Sequence, residues 1–141
     1  MANRVFQLKV PAEPSSLACL RSFVATALAA QPDPFVDCVV HALDEACSNV
    51  VRHRHPGLGC SDIELTIELS ADQFRCRIGS FCAARDLPAI RPRREPQLEP
   101  GGLGTHFIAC LMDRVEYEPD PERPGAMLLV LEKRLPEASQ P

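Results

Sequence analysis

The sequence predicts a two-layer α+β domain, with helices packed over a mostly antiparallel, mixed sheet. Apolar alternation runs cleanly from Asp62 to Leu69 and resumes at Phe74, Cys76 and Ile78 after a short polar break, as expected of a hairpin with one wet face. Two segments with helical apolar spacing precede that hairpin. The coarse order along the chain is strand, helix, helix, strand, strand, long loop, helix, strand, strand. At 141 residues, the chain fits one domain, 1–141, with one core.

The elements follow in turn. Val5 to Val10 reads as a strand with Phe6, Leu8 and Val10 on one face. Ser15 and Ser16 are candidate caps for a first helix over 16–30, in which Leu17, Leu20, Val24 and Leu28 share a stripe. Gln31-Pro32-Asp33-Pro34 ends that helix, Asp33 can cap the next, and Pro34 suits its first turn. This second helix is expected to reach about His53, where His55-Pro56-Gly57-Leu58-Gly59 breaks it. Ala71-Asp72 turns the hairpin. Pro88, Pro92, Pro96 and Pro100 exclude regular structure over 83–100. A third helix runs from the glycines near 101 to about Met112. Val115 to Tyr117 and Ala126 to Glu132 close the sheet, and 135–141 is a tail.

Composition narrows the function classes. The formal net charge of −4 gives no global preference for nucleic acid. No stretch has the length needed to span a bilayer, and the opening residues alternate charge and apolarity, unlike a signal peptide. A cytoplasmic location follows as an expectation, with the cysteines reduced. An odd count of seven cysteines without any Cys-x-x-Cys speaks against a disulfide framework or a zinc site. Small buried apolar side chains are the reading that fits them.

Two constellations carry chemistry. At about 100° per residue, the second helix gathers Val39, Leu43, Ala46, Cys47, Val50 and Val51 on one side, and Glu45, Asn49 and Arg52 on the other. Glu45 and Asn49 stack one turn apart. Cys38 and Ala42 lie between them in projection, and their small size is expected to leave room for a ligand. An amide oxygen suits Mg²⁺, and a carboxylate one turn away can take a proton from an attacking hydroxyl. Alone, this spacing also describes a plain amphipathic helix. The second constellation is Pro100-Gly101-Gly102-Leu103-Gly104-Thr105. Glycines permit close backbone approach, and a helix starting there aims free N–H groups at an anion. An ordinary glycine-rich turn has the same appearance. The spacing matches neither the dinucleotide fingerprint nor a Walker loop. Between the two lies the Arg- and Pro-rich stretch with Arg85, Arg91, Arg93 and Arg94, which reads either as a solvated loop or as a lid meeting phosphates or an acidic partner.

The run from His41 through Glu45-Ala46-Cys47-Ser48-Asn49 to His53 resembles the N box of the anti-sigma factor serine kinases, of the Bergerat (GHKL) ATP-binding fold. Gly101-Gly102-Leu103-Gly104 through Val115 resembles the same family's G2 box and following helix. The resemblance covers roughly residues 5–134. It implies that Glu45 is the catalytic base and that Asn49 binds Mg²⁺. It further implies that Arg52, His53, Ser80 and Gly101, Gly102, Leu103, Gly104 and Thr105 contact ATP, and that 83–100 is the ATP lid. The implied partners are a sigma factor and an anti-anti-sigma (STAS-type) protein, exchanged by partner switching. Helix one and the first strand would supply a homodimer surface. No direct nucleic-acid or membrane partner is implied.

The chain departs from the family at one place. Where the family carries Asp-x-Gly after the central strand, the register of Phe74, Cys76 and Ile78 places Ser80 and Cys82. Aligning on Gly79 instead places Arg77 at the Asp position. A neutral hydroxyl is a weaker acceptor for an adenine amino group than a carboxylate. The alternative reading is therefore a non-catalytic module that binds a sigma factor or its antagonist and keeps a degenerate nucleotide site.

Overall fold

A computed structural model describes residues 3–52, 61–82 and 103–137, with backbone alone at 61, 81–82 and 103–106. The elements are β1 (Arg4–Pro11), α1 (Ser16–Ala27), α2 (Asp33–Arg52), β2 (Ser61–Leu69), β3 (Gln73–Cys82), α3 (Leu103–Leu111), β4 (Arg114–Pro119) and β5 (Met127–Arg134). They form one five-stranded sheet in the order β1-β2-β3-β5-β4. Every described ladder is antiparallel. The expected element order holds throughout, while the Arg- and Pro-rich stretch and the 138–141 end of the tail lie outside the described residues.

Period-two patterning decides which side of the sheet meets the helices. Ile63, Leu65, Ile67 and Leu69 of β2 are buried, as are Phe74, Cys76 and Ile78 of β3 and Leu131 of β5. From above, α2 contributes Phe35, Val39, Leu43, Ala46 and Cys47, and α1 contributes Leu20, Val24 and Ala27. Phe35 meets Phe74 edge-on, with ring centroids 6.5 Å apart, tying the start of α2 to the central strand. Cys47 and Cys76 belong to this core. Burial pushes the Cys47 thiol up to about 12, with Asp44 adding to the effect, and raises Cys76 as well. Of the five cysteines described in side-chain detail, all free, only Cys47 and Cys76 are buried as expected; Cys38 is half-buried, and Cys19 and Cys110 are exposed because they fall on the outer faces of α1 and α3.

Helix boundaries differ from expectation for local reasons. Ser15 holds the N-cap position of α1 but makes no side-chain cap bond, and Ser16 is a buried first-turn residue. The chain enters α1 through tight turns, in which the Ser16 and Leu17 N–H groups donate to the Glu13 and Pro14 carbonyls. The helix ends at Ala27 rather than near 30, because Ala29 and Gln31 donate to Thr26 and Leu28 in short-range turns. At α2, the Pro32 carbonyl receives the Val36 N–H, so Asp33 lies inside the first turn instead of capping it. A carboxylate there still favours the positive end of the helix.

The other side of the sheet carries a lattice of ions. Lys9 pairs with Asp62 and Glu64, Arg77 with Glu68, Arg75 with Glu118 and Glu132, and Arg114 with Glu116, Glu118 and Glu132. Most of these are cross-strand neighbours made by the register. The loop between β4 and β5 turns at Gly125, whose φ is +85°. From that loop, Arg123 reaches past β5 and β3 to clasp both Glu64 oxygens at 3.1 Å. Leu128 lies across Gly79 beneath this clasp, and a Cβ at Gly79 would sit 2.9 Å from Leu128 Cδ2.

Arg114 hydrogen-bonds Glu116 and holds its carboxyl below the usual carboxylate range. The stabilisation this brings is present above the unfolded value of about 4.3 and is lost as pH falls through the lowered folded value. Wild type and Glu116→Gln are therefore expected to differ slightly in urea midpoint at pH 7, with the gap narrowing as the pH falls below the unfolded value. A gap that widens on acidification contradicts this. The effect is small because the pair is exposed.

Candidate nucleotide site

The flanks of α2 are settled by its contacts. Arg21 of α1 donates to Asp44 at 2.8 Å, which fixes one flank. His41 meets Phe107 of α3 with ring centroids 6.4 Å apart, which fixes the other. At about 100° per residue, Glu45 and Asn49 fall between the His41 edge and the stripe facing the sheet. The ridge singled out in the sequence is therefore on the flank turned toward α3. Of the adjacent carboxylates Asp44 and Glu45, the first is engaged by α1, leaving the second on the α3 side.

Both Glu45 and Asn49 are half-buried. Arg52, in the last turn of α2, donates from Nη2 to Glu45 Oε2 at 3.1 Å and from the same nitrogen to Asn49 Oδ1. A carboxylate oxygen and an amide oxygen thus converge on one positively charged point. Ala42 does not lie open beside them as expected: it is fully buried in the core cluster, because its helical angle sets it beside Phe35, Val39 and Ala46 on the stripe facing the core. Cys38 on the same ridge is half-exposed.

β3 supplies the second wall. Ser80 lies opposite Ile63 and shares the helix-side face with Ile78, yet it is exposed. The β3–β5 ladder ends at Ile78. Ser80 therefore stands on the helix side of the sheet where the core no longer covers it. Arg77 and Gly79 occupy the opposite face: Arg77 pairs with Glu68, and Gly79 makes room for Leu128. The register-based alignment keeps Ser80 on the helix side of the sheet, whereas the slipped one places its residues on the ion-paired face. The Cys82 side chain is outside the described set.

Leu103, Gly104 and Thr105 form the first turn of α3, so their backbone amides are among those a helix start leaves without intrahelical partners. At the other end of α3, Lys133 donates to the Leu111 carbonyl at 2.7 Å. Gly101, Gly102 and His53 lie outside the described residues. Sequence reading missed two members of the site's frame, the His41–Phe107 contact and the Arg21–Asp44 pair. His41 was legible in principle, four residues before Glu45 on the same side.

The donor set can be weighed against a divalent cation. Among the described residues, no group of three His, Cys, Asp or Glu side chains is placed to hold a metal. One amide oxygen beside one carboxylate suits Mg²⁺ of the kind that takes its remaining ligands from phosphates and water.

A family model for the histidine kinase-like ATPase domain matches residues 10–130. The chain belongs to this family. Serine-protein kinase RsbW of Bacillus pumilus (strain SAFR-032) is 28% identical over 127 residues, spanning 81% of this chain and 78% of the relative. Serine-protein kinase RsbW of Halalkalibacterium halodurans is 30% identical over 125 residues, spanning 81% and 75%. The crystal structure of the RsbU and RsbW domains of Rv1364c from Mycobacterium tuberculosis superimposes with a TM-score of 0.68 at 15% identity, which shows the fold. That match covers 97% of this chain, and the chain spans only 34% of that larger one. Among the described residues, no helix is long and apolar enough to cross a membrane.

Proposed function

We propose that this histidine kinase-like ATPase domain is an ATP-dependent protein serine kinase that works as an anti-sigma factor, alternating between a sigma factor and a STAS-type anti-anti-sigma protein. The observation that carries the reading is the convergence of Glu45 and Asn49 oxygens on one cationic nitrogen, on the α2 flank facing α3. The similarity to two serine-protein kinases along four-fifths of the chain supports it.

In this reading Glu45 would accept the proton of the partner's serine hydroxyl as that oxygen bonds to the γ-phosphorus, while the bond from the γ-phosphorus to the β–γ bridging oxygen breaks and ADP leaves. Asn49 Oδ1 is the protein's ligand to Mg²⁺, which supplies charge neutralisation at the phosphates when bound. Gly101, Gly102 and the Leu103–Thr105 turn offer backbone amides and a helix dipole to the phosphate oxygens. His53 and Arg52 would contact the nucleotide, and residues 83–100 would serve as its lid. Ser80 accepts the adenine amino group directly or through water. Dimerisation would use α1 and β1, and the chain would work in the cytoplasm.

Calorimetry with ATP and Mg²⁺ is the test. Micromolar binding abolished by Asn49→Ala is expected. The neutral Ser80 favours a second reading, a binding module without chemistry. No detectable heat, together with an equally silent thermal-shift assay, would establish that one instead.

A further inference from the structure

Arg52 follows Asn49 by three residues and Glu45 by seven, so it stacks on their ridge. Among the described residues, its guanidinium is bonded to these two side chains. The other nearby carboxylate, Asp44, is held by Arg21. More than half of the Arg52 side chain is exposed, at 57%, against 30% for Glu45. The arginine therefore claims the two oxygens that the proposed function gives to proton transfer and to the metal.

A guanidinium has no acceptor and does not lose its proton in proteins. It cannot share these oxygens with a divalent cation by becoming neutral, so two positive centres would face each other across Asn49 Oδ1. One of them must leave. The exposed, solvent-screened pair is the kind that opens readily. The long side chain lets the charged head swing while its stem stays on the ridge.

We infer that Arg52 is a displaceable internal cation: its guanidinium competes with the divalent metal for Asn49 Oδ1 while it also occupies Glu45, and metal–nucleotide entry drives it off both. This rests on the nucleotide reading above. While the arginine is in place, its Nη2 occupies Glu45 Oε2, an oxygen to which a serine hydroxyl would have to donate. The same movement that admits the metal releases the base. Metal loading and base activation are thereby one event.

The test is the Mg²⁺ dependence of nucleotide binding in the full chain, using a non-hydrolysable ATP analogue as probe. Wild type, Arg52→Ala and Arg52→Lys are compared by calorimetry, with a thermal melt of each to verify folding. Removing an exposed competitor should lower the Mg²⁺ concentration at half-maximal binding by about three- to fivefold in Arg52→Ala. Arg52→Lys keeps the charge and loses the planar fork, so it should fall between the two. A half-point unmoved or raised in Arg52→Ala, with nucleotide still bound, overturns the competition and leaves the site reading standing. A raised half-point would mark Arg52 as a phosphate contact alone. Absence of nucleotide binding in wild type and variants alike removes both readings.

Discussion

Glu45→Gln is expected to reduce γ-phosphate transfer to a partner serine by about two to four orders of magnitude, the usual worth of a positioned general base. Glutamine keeps the shape and an oxygen that can accept from Arg52, so the α2 ridge should stand unchanged. It loses the ability to take a proton. Asp44, next in the chain, cannot substitute, because it sits on the opposite flank and is bonded to Arg21 at 2.8 Å. Single-turnover transfer from labelled ATP measures the effect, with analogue affinity measured alongside. If Glu45→Gln and wild type transfer at the same rate while both bind nucleotide, Glu45 is not the base. If neither transfers but both bind a sigma factor, the non-catalytic reading stands.

Phe74→Ala is expected to cost about 3–5 kcal/mol of folding stability. Phe74 is fully buried at the start of the central strand and meets Phe35 edge-on. Its removal empties the junction between α2 and the sheet and also loses the ring pair. A domain of this size holds on the order of 5–15 kcal/mol in all, so the variant should unfold at much lower urea. Phe107→Ala provides the contrast, since that ring is 46% exposed and should shift the midpoint little. A loss for Phe74→Ala below about 1 kcal/mol would mean that the junction closes over the gap.

Much of the architecture was legible because period and burial coincide. The alternation from Ile63 to Leu69 and from Phe74 to Ile78 became the two inner strands, with the apolar set buried on one face. The same parity separated Ser80 from Arg77 and Gly79. Spacing of four along a helix is enough to set Glu45 and Asn49 together. What escaped was the part set by lateral order. Nothing local tells that β5 inserts between β3 and β4, and Arg123 meets Glu64 across 59 positions only because it does. Ala42 stands at the edge of the α2 apolar stripe, beside Ala46 as well as Cys38, and its small size suits a buried position as readily as an open one. The Arg52 contacts depend on a long side chain choosing among rotamers, which spacing permits without dictating. The resemblance to the anti-sigma factor kinases supplied what no spacing could, the assignment of roles along the α2 ridge.

The lattice on the helix-free side has one more effect. Lys9, Arg75, Arg77, Arg114 and Arg123 each lie within salt-bridge distance of a carboxylate. Their partners are Asp62, Glu64, Glu68, Glu116, Glu118, Asp120 and Glu132, so the opposed charges largely offset one another, and the small negative excess is screened beyond a Debye length, about 8 Å at physiological ionic strength. An approaching macromolecule meets a polar skin on that side with little long-range pull or orienting torque.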